Sequence, residues 1–404
     1  MKRYIHKGTA RGTITAPPSK SYAHRLILAA ALSGEKCTVS HVELSEDIKA
    51  TLECVKALGH SFTIKDGSVT FEPHSATSNG TGTIVMPCNE SGTTLRFMIP
   101  VALALGGIFR FTGTPRLISR GISIYEDIFR QQGITCIRNL DSIEISGRLR
   151  PSRFSIDASI SSQFISGLLF ALPLVEGESS LRLEGRIESR MYIDMTLSIL
   201  SISGIHCNTL ADGSIIIPGN QTYKAVDARV EGDWSNAAFF SALNLMGGSV
   251  TIEGLKEDSL QGDRLCLEYF NALRTGTPQI DISNQIDLGP ILFAMAAYLN
   301  GAVITGIRRL RIKESDRVGE MLEELSRLGA DFAVDENRVV IRNAPLHKPS
   351  VTLKGHNDHR IVMALSILLT AFGGEIEGTE AVSKSYPSFF DVLKGTGIEI
   401  TDYV

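Results

Sequence analysis

An apolar run opened by a compact polar cluster recurs in this chain about every seventy residues, and no other feature limits the possible folds as strongly. The openings stand near Ser21, Ser91, Ser161, Ser235, Asp287 and Asp358. Polar clusters lead five of them: Ser19-Lys20-Ser21, Glu90-Ser91-Gly92-Thr93-Thr94, Ser161-Ser162-Gln163, Asp233-Trp234-Ser235-Asn236 and Asn357-Asp358-His359-Arg360. The opening at Gln285-Ile286-Asp287 is thinner. Ser, Asp and Asn side chains accept bonds from the free N–H groups of a first helical turn, so each cluster predicts a helix start. The runs behind them, such as Ile291-Leu292-Phe293-Ala294-Met295-Ala296-Ala297, have no wet face and predict helices buried all round.

A second, amphipathic set of helices is expected over 46–58, 122–132, 191–202, 264–273, 317–328 and 388–393. Most end at a glycine (Gly59, Gly133, Gly204, Gly329, Gly395), the residue that takes positive φ without strain just past a helix. Alternating runs at 68–71, 142–145, 214–217 and 338–341 predict strands. Each unit reads as strand, helix, strand, helix, two strands. The interval from Ser235 to Asp287 is nearer fifty, and 271–278 stands where other units carry a glycine-closed helix and a hairpin, so the fourth unit should lack a strand pair. Gly80-Thr81-Gly82 and Gly395-Thr396-Gly397 follow no strand-to-helix nucleotide pattern and read as turns.

A chain of 404 residues exceeds one ordinary core, so six units imply two domains of three. If the three buried helices of a domain run parallel, their N-termini emerge on one face. Two such faces opposed would make a cleft able to bind anions without a metal or cofactor. A net charge of -4 argues against a nucleic-acid coat or an anionic-membrane binder. The six cysteines form no CxxC pair, and His356 and His359 lack a further Cys/His cluster, so no metal site is expected. The start carries no signal-peptide core, and the apolar runs are too short to span a bilayer. A cytoplasmic protein is the expectation.

Cations cluster at the openings and nearby loops: Lys20, Arg25, Arg120, Arg190, Lys313, Arg317, Arg360 and Lys384. Several charge-assisted bonds of roughly 1.5–3 kcal/mol each would hold a doubly anionic ligand tightly. Carboxylates among them are few: Asp287, Glu314, Asp316 and Glu90. Asp287 and Glu314 can act as proton acceptor and donor, and both can equally serve as helix caps.

Several motifs are long and come in a specific order: Pro-Ser-Lys-Ser-x-x-x-Arg at 18–25, Ser91-Gly92-Thr93-Thr94-Leu95-Arg96, Ser161-Ser162-Gln163-Phe164 and Glu188-Ser189-Arg190-Met191-Tyr192-Ile193-Asp194. Val230-Glu231-Gly232-Asp233, Lys313-Glu314-Ser315-Asp316-Arg317, Asn357-Asp358-His359-Arg360 and Lys384-Ser385-Tyr386-Pro387 follow. From about residue 14 onward the chain resembles the EPSP synthase family of enolpyruvyltransferases. That resemblance implies an α/β, two-domain, inside-out barrel-like fold of six βαβαββ repeats. The domains would be 17–230, and 1–16 plus 231–404. It implies that 3-phosphoshikimate contacts Lys20, Ser21, Arg25, Ser161, Ser162, Gln163, Ser189, Tyr192, Asp287 and Lys313. Phosphoenolpyruvate would meet Lys20, Gly92, Arg120, Gln163, Arg317, Arg360 and Lys384. Asp287, Glu314 and Lys20 would be the catalytic groups, and the reaction would need neither metal nor cofactor. A monomer acting on small molecules, with no nucleic-acid or membrane partner, is expected.

Three departures stand out. Glu90 occupies a position where the family commonly has Asn, Arg120 is followed by Gly121 rather than Pro, and the fourth repeat is short. The related UDP-N-acetylglucosamine enolpyruvyltransferases usually carry a reactive Cys on the loop equivalent to 115–121, and this loop has none. A non-catalytic phosphosugar-binding protein would need the cations but not both Asp287 and Glu314. A nucleic-acid end-modifying enzyme of related fold would need basic patches interleaved with aromatics, which the chain lacks.

Overall fold

The computed structural model describes residues 1–73 and 82–403, so the turn read at Gly80-Thr81 lies outside the described residues. The chain divides into two compact units, Pro18–Val230, and Met1–Pro17 with Glu231–Val404. Each has its own apolar core.

The Pro18–Val230 unit contains α1 (Lys20–Ser33), α2 (Glu46–Ala57), α3 (Gly92–Leu105), the short α4 (Pro115–Ser119), α5 (Ser123–Gln132), α6 (Ser162–Ala171) and α7 (Arg190–Ile202). The other unit contains α8 (Trp234–Leu245), α9 (Cys266–Thr275), α10 (Gly289–Tyr298), α11 (Arg317–Ser326), α12 (His359–Phe372) and α13 (Phe389–Gly395). The all-apolar runs became α1, α3, α6, α8, α10 and α12; in α10 every residue from Gly289 to Ala297 is buried. The amphipathic set became α2, α5, α7, α9, α11 and α13.

The polar openings do the capping their chemistry predicts. Side chains of Ser91, Ser161, Asp233 and Asp358 accept from the backbone N–H groups of Thr94, Gln163, Asn236 and Arg360. Ser19 precedes α1 without a side-chain cap. Asp287 sits in a 3-10 turn, Ile286–Leu288, that runs directly into α10, so its carboxylate is left for other partners.

Among the described residues five of six sheets share one plan, a parallel strand pair followed by two antiparallel strands. In one of them Ile84–Asn89 lies parallel to Gly107–Gly113, Ser142–Gly147 pairs antiparallel with the latter, and Thr135–Arg138 closes the sheet. The N-terminal strand Lys2–Ile5 pairs with both Gly374–Glu377 and Ile400–Tyr403, so both chain ends share one sheet. The sixth sheet has only Arg11–Thr15 parallel to Ser249–Glu253. Here α9 ends at Thr275 and the next strand starts at Gln279, leaving no room for a hairpin. The short interval in the sequence is thus a missing antiparallel strand pair.

Ser249–Glu253 therefore has an outer edge, and part of it is closed by Asn244 at the end of α8. The Asn244 amide accepts from the Val250 N–H at 2.7 Å and donates to the Val250 carbonyl at 2.9 Å, the two bonds a neighbouring strand would make. Asn244→Val removes both. We expect about 1 kcal/mol of lost stability per the usual worth of such bonds, read as a lower urea midpoint, together with concentration-dependent association through the exposed edge. An unchanged midpoint at all concentrations would refute this role.

Candidate active site

In the Pro18–Val230 unit the predicted residues gather at the N-terminal ends of α1, α3, α6 and α7. Lys20 is the first residue of α1, and its Nζ donates to Asp47 Oδ2 on the first turn of α2 at 2.7 Å. Ser21 follows it, and its carbonyl accepts from Arg25 Nη1 at 2.8 Å. Arg25 is buried. Its guanidinium also donates to Thr196 Oγ1 at 2.8 Å, the Tyr192 carbonyl at 3.1 Å and Ser166 Oγ at 3.3 Å, and it faces the Phe97 ring. Burial lowers its pKa to about 10, so the group stays charged at neutral pH. Ser189 and Tyr192 flank the start of α7, Ser189 in the left-handed region at φ 57°.

A second knot holds Gln163 on the first turn of α6, where Ser161 caps and Ser162 is buried. Its amide accepts from Arg96 Nη1 at 2.7 Å and donates to Thr93 Oγ1 at 2.8 Å. Gly92 opens α3 against two guanidiniums: a β-carbon there would lie 2.8 Å from Arg96 Nη1 and 3.1 Å from Arg120 Nη1. Backbone N–H groups and two cations thus converge at Gly92, where any side chain would have to displace a guanidinium. The buried Tyr125 hydroxyl, bonded to the carbonyls of Arg96 and Phe164 at 2.6 and 3.1 Å, fixes α3 against α6.

A hydrogen-bonded chain connects these openings. His24 Nδ1 and Thr51 Oγ1 are 2.7 Å apart, Thr51 Oγ1 and Thr94 Oγ1 are 2.7 Å apart, and Thr94 Oγ1 donates to Ser91 Oγ at 2.7 Å. Burial, then the charges of Lys20 and Arg25, push the His24 imidazole well below its ordinary pKa, so it is a neutral bridge.

In the other unit six predicted residues, Asp287, Lys313, Glu314, Arg317, Arg360 and Lys384, lie on neighbouring turns and helix starts, and the first five form one charge cluster. The Arg317 side chain, 1% exposed, donates to Asp358 Oδ2 through Nε at 2.7 Å, to Asp287 Oδ1 through Nη1 at 2.9 Å and to Glu314 Oε2 through Nη2 at 2.7 Å. Asp287 Oδ1 also lies 3.4 Å from Lys313 Nζ and 3.5 Å from Arg360 Nε. Arg360 Nη1 donates to the Asp287 carbonyl at 3.1 Å. Burial works to raise the Asp287 carboxyl, but Arg360, Lys313 and Arg317 outweigh it and hold it well below the usual carboxylate range. Lys384 Nζ donates to the Asn357 carbonyl at 2.6 Å.

Two predicted participants fall elsewhere. Arg190 pairs with Asp194 at 2.8 Å along the α7 surface. Asp316 is the cap of α11, accepting from the Val318 and Gly319 N–H groups at 3.1 Å. Four residues were missed: Asp47, Arg96, Asp358 and Asp263. Asp263 is buried and accepts from the Ser235 hydroxyl; burial, then the Asp287 charge, raise it to about 7. Asp47 and Asp358 read in the sequence as helix-start acids, and Asp358 is indeed a cap that also serves Arg317.

Among the described residues Glu323, Glu324 and His356 bring ligand-type atoms within 4.8 Å of one another. Arg327 is paired with both carboxylates, and His356 donates to Glu324 at 2.8 Å. The set is a charge-pairing cluster.

Comparison with known proteins follows the same lines. A family model described as EPSP synthase (3-phosphoshikimate 1-carboxyvinyltransferase) matches residues 6–393. A 3-phosphoshikimate 1-carboxyvinyltransferase of Clostridium kluyveri is 37% identical over 429 residues, covering 99% of this chain and 98% of its own. One from Clostridioides difficile is 36% identical over 428 residues with the same coverage. A solved structure of EPSP synthase from Acinetobacter baumannii superposes with a TM-score of 0.80 at 23% identity, covering 99% of this chain and 100% of that one, which is a likeness of fold. The repeats and the end-to-end match agree with the sequence reading: the chain belongs to the EPSP synthase (3-phosphoshikimate 1-carboxyvinyltransferase) family.

Proposed function

We infer that this protein transfers the enolpyruvyl group of phosphoenolpyruvate to 3-phosphoshikimate in the shikimate pathway, with the residues above in the following roles. The end-to-end family match carries the activity. The observation that best supports the mechanism is a single carboxylate, Asp287, within 3.5 Å of three cations. A doubly anionic substrate can take those cations over and leave the carboxylate beside the hydroxyl that must lose a proton.

In the addition step the 5-hydroxyl oxygen bonds to C2 of phosphoenolpyruvate and its proton passes to Asp287. The methylene carbon meanwhile takes a proton from Glu314 or Lys20. In the elimination step that carbon returns its proton to the group that gave it, the bond between C2 and the phosphate's bridging oxygen breaks, and inorganic phosphate leaves with the proton that Asp287 took from the hydroxyl. Lys20, Ser21, Arg25, Ser161, Ser162, Gln163, Ser189, Tyr192, Asp287 and Lys313 hold 3-phosphoshikimate in this reading. Lys20, Gly92, Arg120, Gln163, Arg317, Arg360 and Lys384 hold phosphoenolpyruvate. A cytoplasmic monomer is the state this reading expects, and the net charge of -4 speaks against a nucleic-acid partner. Among the described residues no helix is long and apolar enough to cross a membrane. Phosphate release on incubation with both substrates, and none when either is omitted, is the expected result. No release with both present would refute the reading.

Glu90 is the unusual group in this site. An ionised carboxylate some 7 Å from bound phosphoenolpyruvate would repel it by about 2 kcal/mol at an effective dielectric near 20. We assign it a neighbouring cation as partner, and Arg96 and Arg120 both crowd Gly92 two residues further on. Glu90→Asn removes a repulsion and a pairing together. The KM for phosphoenolpyruvate should therefore move less than about tenfold, with turnover little changed. A hundredfold loss of turnover with binding intact would make Glu90 a catalytic group.

A further inference from the structure

The loop that carries Asp358 and Arg360 into the site is held from behind by a buried carboxylate that the reaction does not use. Glu324 lies on the inner face of α11 with its side chain fully buried. Its Oε2 accepts from the Lys354 N–H at 3.1 Å, and its Oε1 accepts from His356 Nε2 at 2.8 Å. Arg327 Nε stands 3.5 Å from Oε2. Both grips fall on the segment just before α12. There the backbone takes two successive left-handed conformations at non-glycine residues, His356 at φ 49° and Asn357 at φ 52°. Such residues persist only where the surroundings hold them. The product of that turn is the Asn357 carbonyl, aimed at Lys384 Nζ, followed at once by Asp358, which takes Arg317 Nε, and by Arg360.

We propose that His356, anchored on Glu324, is a positioning residue for phosphoenolpyruvate binding: it fixes the left-handed turn that sets Lys384, Arg317 and Arg360. The proposal rests on the assignment of those three cations to phosphoenolpyruvate. His356 is faced by Glu324, Glu320 and Glu323 from α11 and by Lys354 on its own segment, and it lines a pocket that also includes Lys2 and Glu377. The hydrogen bond to Glu324, outweighing partial burial and aided by Glu320, Glu324 and Glu323, raises the imidazole above its ordinary 6.5. The sign follows from that direction. The charged anchor is complete below the ordinary value and is lost as pH rises through the folded value. A neutral imidazole can still donate to the Glu324 carboxylate, but with a charge on one partner instead of both, which weakens the bond.

Steady-state kinetics of His356→Asn and His356→Gln across pH 6 to 9 tests this. Asn tolerates the left-handed turn but is too short to reach Glu324. Its KM for phosphoenolpyruvate should rise about tenfold, the worth of one charge-assisted bond, while turnover and the KM for 3-phosphoshikimate stay within about twofold. Gln keeps a neutral donor at the Nε2 position. Its KM should be flat with pH and equal to the alkaline plateau of the unmodified protein, which itself should climb about threefold from acid to alkaline. Lys384→Met serves as the reference. If it raises the phosphoenolpyruvate KM and His356→Asn does not, the positioning role is overturned. If Lys384→Met also leaves that KM unchanged, the assignment of the cations fails instead. Equal rises in both substrates' KM values for His356→Asn, with a lowered melting temperature, would reduce His356 to a structural anchor.

Discussion

Lys20→Met is expected to lower turnover at least about a hundredfold, close to 3 kcal/mol of transition-state stabilisation. The charge it removes stands at the first turn of a buried helix, at the positive end of its dipole, where both substrates are assigned. The loss has a second component. Asp47 now holds Lys20 at 2.7 Å, and in the variant it becomes a partly buried carboxylate without that cation, close to where an anion must bind. Lys20→Met/Asp47→Asn should therefore recover part of the binding lost in the single variant but none of the proton transfer. The Lys20 side chain is partly exposed, so folding should survive, as a thermal melt would show. Near-normal turnover of a folded Lys20→Met protein would sink the site assignment.

Asp287→Asn should lower turnover by roughly a thousandfold, the middle of what a positioned general base contributes. Calorimetry should still detect 3-phosphoshikimate binding. In the free protein Asp287 is a poor base because three cations hold it far below the usual carboxylate range. Under the proposed assignment, anionic substrates drawing off Lys313, Arg317 and Arg360 would raise it again, so the base would be activated by the substrates it serves. The depressed pKa also fixes a stability effect. Its contribution is present above the ordinary carboxylate value and is lost as pH falls through the folded value. At neutral pH the variant should therefore melt lower, because Arg317 and Arg360 lose a buried partner. Unimpaired turnover in Asp287→Asn would refute the acid–base assignment.

Much of this was legible in the sequence, for identifiable reasons. A helix start depends on a few adjacent residues, so Ser91, Ser161, Asp233 and Asp358 announced four of the six buried helices. All-round burial of α10 followed from the run 291–297 alone. The missing strand pair showed as a shortened interval. What stayed hidden was pairing across elements. Asp47 looked like an ordinary first-turn acid on α2, and only the packing of α1 on α2 makes it the partner of Lys20. The Thr196 and Ser166 hydroxyls that orient Arg25 lie 171 and 141 residues away in sequence. His356 read as one of two unremarkable histidines, because its meaning comes from a glutamate on another helix and from two backbone angles that no side-chain pattern records.

The pairing of Lys2–Ile5 with Ile400–Tyr403 has a consequence for biosynthesis. The Pro18–Val230 unit can begin to close as soon as Val230 leaves the ribosome. Lys2–Ile5 cannot, since its partners Gly374–Glu377 and Ile400–Tyr403 are made about 370 to 400 residues later, and Arg11–Thr15 waits for Ser249–Glu253. At about 5–20 residues per second, Lys2–Ile5 waits on the order of twenty to eighty seconds for Ile400–Tyr403 as an unpaired edge. The composition of both strands suits the wait: Lys2 and Arg3 on one strand and Arg11, Gly12 and Thr13 on the other offer little apolar surface to a passing chain. A strand made before either core is thus among the later ones to find its place.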